Sequence, residues 1–194
     1  MAAGALLVLV ACNGTPKAAP PGATVGTAPA QTTSTDPFAA PDAIDTAYVN
    51  RVLAGLDSAV GDVVRMVVAA KIVPREGFDR LKAIYGTDAL LNLVLDALSQ
   101  DAARGFPGVR SPPGNQVTIV TELISASRAC IYSKVKRDYS KVSVGTALTE
   151  DNQWIAVRPL DKARDPYGYN SVGWSYAYEG FERGNVAPNR NPCG

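Results

Sequence analysis

The residues that could do chemistry are few. The 194-residue chain has no histidine, 3 cysteines and a formal net charge of +1. Without histidine, the commonest general base and the commonest transition-metal ligand are missing. Nucleophile systems that rely on Ser/His or Cys/His pairs are excluded on the same ground. What remains is carboxylate and phenol chemistry. Asp57, Asp62, Glu76, Glu122 and Asp138 are the candidate carboxylates, though such residues more often serve a helix end, a surface or an ion pair. Ser133-Lys134-Val135-Lys136 has the Ser-x-x-Lys spacing of a serine nucleophile with a lysine base. That spacing works on a helix. In a strand, positions i and i+3 point to opposite faces, and this stretch reads as a strand. No phosphate-cradling glycine loop, zinc spacing or calcium loop is present, so no metal and no cofactor is expected. The near-neutral charge excludes a basic nucleic-acid surface.

The cysteines divide into one and two. Ala5 to Ala11 is a seven-residue apolar run, too short to span a bilayer and suited to the apolar region of a secretory signal. It leads directly into Leu9-Val10-Ala11-Cys12. This stretch resembles the lipobox of bacterial lipoproteins, more loosely those of high-GC actinobacteria. The resemblance implies a signal peptide over 1–11, cleavage before Cys12 and diacylation of its thiol. It further implies a plasma-membrane anchor on the extracytoplasmic face. Two acyl chains hold where one only visits. Met1 to Gly4 carry no Lys or Arg, so the basic start of such a signal is expected upstream of Met1. Cys130 and Cys193 then form an even pair in an oxidising compartment, where a disulfide is expected. Closing so long a loop contributes roughly 4 kcal/mol.

Residues 12–41 are expected to be the lipidated Cys and a disordered tether. Ala, Pro, Thr, Gly and Ser dominate, and Phe38 is the sole aromatic. Such a composition cannot bury enough apolar surface to offset its ordering entropy.

Residues 42–194 read as a single α+β domain, with helices over about 42–104 and strands over about 116–178. Asp42 is placed to cap a first helix striped by Val49, Leu53, Leu56 and Val60. Gly55 and Gly61 weaken it near its end, and Val63 to Ala70 suits either a buried helix or a strand. Pro74 opens a second helix with Phe78, Leu81 and Tyr85 as its stripe. Thr87 caps a third, in which Leu91, Val94, Leu95, Leu98 and Ala102 fall on one face. From Gln116 the period changes to two. Gln116–Ile124, Cys130–Asp138, Gln153–Arg158 and Ser171–Tyr178 read as strands. Helices followed by strands predict helices packed on a curved, mostly antiparallel four-stranded sheet. Ala47-Tyr48-Val49-Asn50 through Leu56-Asp57 resembles the first helix of NTF2-like (cystatin-like) domains. Asp57-Ser58-Ala59-Val60-Gly61-Asp62 stands where those domains often carry an Asp-Gly-Asp type turn. The resemblance implies a concave sheet covered by helices, often around a pocket, on a fold that hosts enzymes and non-enzymes alike.

Half of the aromatics lie between Trp154 and Phe181. Alternation along the last strand puts Trp174, Tyr176 and Tyr178 on one face with Val172. That face is either the sheet's core or a surface for a glycan, lipid or protein. Asp161 to Asp165 is expected to be a solvated charged loop. The function expected is a non-catalytic envelope lipoprotein that binds a small apolar ligand or an envelope protein. Two alternatives stay open: an NTF2-like enzyme using carboxylate or Tyr chemistry, and a structural accessory subunit of a cell-envelope complex.

Overall fold

The computed structural model describes residues 36–145, 149–181 and 191–194. Three helices precede four strands: α1 (Thr46–Ala70), α2 (Arg75–Ile84), α3 (Asp88–Ala103), β1 (Val117–Ser127), β2 (Cys130–Asp138), β3 (Thr149–Pro159) and β4 (Trp174–Phe181). The strands form an antiparallel meander in the order β1-β2-β3-β4. This is the expected α+β arrangement. Among the described residues, no helix is long and apolar enough to cross a membrane.

The first helix starts later and runs further than its sequence suggests. Asp45, not Asp42, is the N-cap, accepting from the Tyr48 amide at 2.7 Å. The helix continues through both glycines and the ambiguous apolar run to Ala70, and Asp57 to Asp62 is helix rather than turn. The glycines are close-approach positions. A Cβ on Gly55 would lie 2.7 Å from a Val172 methyl and 3.0 Å from the Phe38 ring. One on Gly61 would collide with the Asn115 side chain. The loss of helix propensity, about 1 kcal/mol each, is the cost of bringing these neighbours against the helix. The other caps fall where expected: Pro74 precedes α2, and Thr87 accepts from the Leu90 amide at 3.3 Å.

All three helices cover one face of the sheet. Tyr48, Val52, Leu53, Leu56 and Val63 of α1 pack with Leu81 and Ile84 of α2. They meet Val120, Ile131, Val135, Ile155, Val157, Trp174 and Tyr176 from the strands. Phe38 packs on this core, and its carbonyl accepts from the Tyr48 hydroxyl at 2.7 Å. The folded unit therefore includes residues expected in the tether. The rest of that stretch, with Cys12 and the proposed signal, lies outside the described residues. The opposite sheet face carries a smaller cluster of Cys130, Tyr132, Trp154 and Ala156, with Tyr178 and Cys193 against it. Cys130 and Cys193 are disulfide-bonded, their Cα atoms 5.6 Å apart.

Asp161 to Ala163 is exposed, as the charge of this stretch suggests, but Arg164 and Asp165 are half-buried and anchored. Lys162–Arg164 is a 3₁₀ turn. Arg164 donates to the carbonyls of Lys82 (3.3 Å) and Tyr85 (3.2 Å) at the end of α2. It also pairs with Asp88 at the start of α3, at 2.9 Å. One cation thus meets both the negative end of one helix and the first turn of the next. Asp165 accepts from the amides of Tyr169 and Asn170. We expect Arg164→Ala to lower the unfolding free energy by about 2 kcal/mol. A urea-denaturation midpoint unchanged from wild type would remove this staple from the account.

Candidate functional site

A cleft of about 340 Å³ opens between the helices and the sheet. Val60 and Val64 of α1, Leu81 and Tyr85, and Leu93, Val94, Ala97 and Leu98 of α3 make its apolar wall. Asp101, Gln116, Arg137, Tyr139 and Glu179 are its polar lining. The cleft exists because α3 is only lightly seated. Leu91 is its one buried residue, whereas Leu93 is 64% exposed. Of the expected five-residue stripe, Leu91 is buried in the core and Val94, Leu95 and Leu98 pack half-buried against it, with Val94 and Leu98 also lining the cleft.

The polar lining is the rim of a buried network. Arg137 sits in β2 in phase with Ile131 and Val135, on the helix-facing side, and is 5% exposed. Its Nη2 donates to Glu179 Oε1 at 2.7 Å, its Nε to Thr118 Oγ1 at 3.3 Å, and its guanidinium lies 5.3 Å from the Tyr176 ring centroid. Burial works against the Arg137 charge, but Glu179 and the hydrogen bond to it outweigh burial and raise the Arg137 pKa. Thr118 Oγ1 passes the connection on, donating to Asp57 Oδ1 at 2.9 Å.

Asp57 is the only one of the five candidate carboxylates that is buried, at 2% exposed. Its oxygens accept from Gln116 Nε2 (2.7 Å), the Thr118 amide (2.7 Å) and the Thr118 hydroxyl, with the Tyr176 hydroxyl at 3.5 Å. Burial pushes its pKa above the usual carboxylate value, and the surrounding donors and Arg137 oppose that push. Seven residues earlier on α1, Asn50 Oδ1 accepts from the Val120 amide at 2.9 Å. Asn50 and Asp57 thus hold two outward amides of β1, two residues apart. This fixes how α1 lies along the sheet. Asp57 is a pin between helix and sheet.

The other carboxylates do not converge on it. Asp62 pairs with Arg65 and Glu76 with Arg80, Glu122 is exposed on β1, and Asp138 accepts from the Ser140 amide. Ser133 is buried beneath the helices while Lys136, on the other face, pairs with Asp151. The Ser-x-x-Lys spacing brings no pair together.

The expected aromatic face is broken. Trp174 and Tyr176 are buried in the helix-facing core at 3% and 0% exposed. Trp174 Nε1 donates to the Tyr48 hydroxyl at 2.8 Å, and Tyr176 stacks on Tyr85 at 5.6 Å. Tyr178 lies on the opposite face, 6.5 Å from Tyr132. The register explains the break. Tyr178 pairs with Ala156 and Tyr176 with the next residue, Val157, so Ala177 is an inserted residue. A β-bulge of this kind shifts every later side chain to the other face. Among these three residues only Tyr176 touches the network, and none of them lines the cleft.

Gln116, Arg137, Tyr139 and Glu179 were not singled out by sequence reasoning. The phase of Arg137 with Ile131 and Val135 was the available signal, because a charge on an apolar strand face demands a partner. Among the described residues, no group of three His, Cys, Asp or Glu side chains could hold a metal ion. Compared with protein-family models, curated proteins and solved structures, the chain matches none.

Proposed function

We propose that the chain is a lipoprotein anchored through Cys12 on the extracytoplasmic face of the plasma membrane. Its α+β domain binds a small, largely apolar ligand in the cleft beneath α3. The observation that carries the binding reading is the cleft itself. It joins an apolar wall of three helices to a few polar groups at its floor, the composition expected of a small-molecule site. Its volume, about 340 Å³, falls at the small end of the roughly 300–1,000 Å³ typical of such sites. The Cys130–Cys193 disulfide supports an oxidising compartment, and the Leu9-Val10-Ala11-Cys12 stretch supports the anchor. Helices laid over an antiparallel sheet with a cleft between them also support the NTF2-like resemblance as a proposal. The buried Asp57 beside Tyr176 is the one feature that favours enzymology. Its oxygens are already occupied by protein donors, which favours the structural role.

Two measurements test this reading. Metabolic labelling with a fatty acid should tag the wild-type chain and fail to tag Cys12→Ser; equal labelling of both would remove the anchor. Native mass spectrometry of the chain purified from its own envelope should show extra mass that disappears on denaturation. Leu98→Arg, which puts a charge into the apolar wall, should lose that mass. A bare wild-type chain would move the weight to a protein partner.

A further inference from the structure

We infer that the cleft selects an uncharged amphiphile: one short apolar chain ending in a hydroxyl or amide head. The inference rests on the ligand-binding reading above and adds the charge of the ligand. Arg137 is the one cation in the lining, and its charge is already committed. Glu179 takes its Nη2 at 2.7 Å, Thr118 takes its Nε, and its guanidinium lies over the Tyr176 ring, 5.3 Å from the centroid. Two carboxylates, Glu179 and Asp101, line the same cleft. Two more stand directly behind it: Asp57 is bonded to Gln116 at 2.7 Å, and Glu150 to the Tyr139 hydroxyl at 3.2 Å. Asp101 is offset by Arg104 at 2.6 Å, but that guanidinium is 64% exposed and screened by water.

An anionic head placed at this floor meets carboxylates and an arginine that has no charge to spare. A cationic head is attracted to Glu179, yet it must displace or sit beside Arg137, whose own charge is buried with nowhere to move. A hydroxyl or amide avoids both costs. It can donate to Glu179 or to the Tyr139 oxygen and accept from an Arg137 N–H without changing the charge of the floor. The discrimination is therefore built by repulsion as much as by attraction. The apolar wall offered by Leu93, Val94 and Leu98 takes the chain.

The test is calorimetric titration of the full chain carrying Cys12→Ser, which frees the experiment from detergent, with decanol, decanoate and decylamine at neutral pH. Decanol is expected to bind at least about tenfold more tightly than either charged analogue. Glu179→Gln frees the Arg137 charge, and there decanoate should gain about tenfold while decanol barely moves. The circular dichroism spectrum confirms that the variant is folded. Decanoate or decylamine binding the wild type as tightly as decanol overturns the inference and leaves the cleft as a ligand site. Failure of all three to bind overturns the ligand-site reading and this inference with it.

Discussion

Replacing Asp57 with alanine is expected to lower the unfolding free energy by about 2–5 kcal/mol, the cost of leaving buried donors without their acceptor. The loss has several sources. The Thr118 amide and hydroxyl lose their acceptor inside the fold, and each such orphan costs about 1–3 kcal/mol; the half-buried Gln116 amide also loses its partner but can turn to the cleft. Arg137 loses a nearby counter-charge. For a domain with roughly 5–15 kcal/mol in hand, this is enough to reduce the yield of folded protein. Asn50→Ala removes a single neutral acceptor and should cost about 1 kcal/mol. Urea denaturation of the two variants beside wild type measures the difference. Equal, small losses would mean that Asp57 is not a pin. The pH dependence has a definite sign. Burial raises the Asp57 pKa above its ordinary value of 3.8, so the folded state holds the proton more tightly than the unfolded state. The Asp57 contribution is then fully present below that value and declines as pH rises through the raised one. The advantage of wild type over Asp57→Asn should accordingly shrink from acid to neutral pH.

The second large effect concerns the C-terminus. Cys193→Ser should cost about 2–4 kcal/mol, because the bridge to Cys130 spans 63 residues of sequence. Arg158, which donates to the Pro192 carbonyl at 2.7 Å, is an exposed contact and a weak substitute. Tyr132 and Trp154, which neighbour the bridge on the outer sheet face, should become more accessible to quencher. The decisive comparison adds a reductant. It should lower the wild-type urea midpoint to that of Cys193→Ser and leave the variant unmoved. A wild-type midpoint indifferent to reductant would show that the bridge contributes nothing to stability.

Much of the architecture was legible because local chemistry and tertiary packing agree along most of the chain. Thr87 and Pro74 are helix starts by their side chains alone, and both are starts in the fold. The change of period at Gln116 separates the helices from the sheet. What misled was packing between distant residues. Gly55 and Gly61 read as helix-weakening, yet they are where Phe38, Val172 and Asn115 come close. Nothing local to α1 announces those neighbours. Ala177 is an unremarkable residue in an alternating strand, and only the pairing with β3 reveals it as inserted. That single residue separated Tyr178 from Trp174 and Tyr176. The cleft was the least legible feature. The stripe of α3 is the same whether the helix sinks into a core or stands off it, and the difference is set by what lies beneath. Arg137, by contrast, could have been found from its phase with Ile131 and Val135.

The contacts at the two margins of the sheet have a consequence for the molecule in company. At β1, the amides of Thr118 and Val120 are held by Asp57 and Asn50 of α1. At β4, the carbonyl of Tyr176 accepts from the amide of Gly86 at 2.7 Å, in the turn before α3. These are the groups that a strand from another molecule must engage to lengthen the sheet. A newcomer at β1 would have to displace a buried carboxylate, and at β4 a segment fastened to α2 and α3 through Arg164. The sheet is finished at these points by its own side chains and turns. A second copy adding its strand edge to edge would therefore find Thr118, Val120 and Tyr176 already taken.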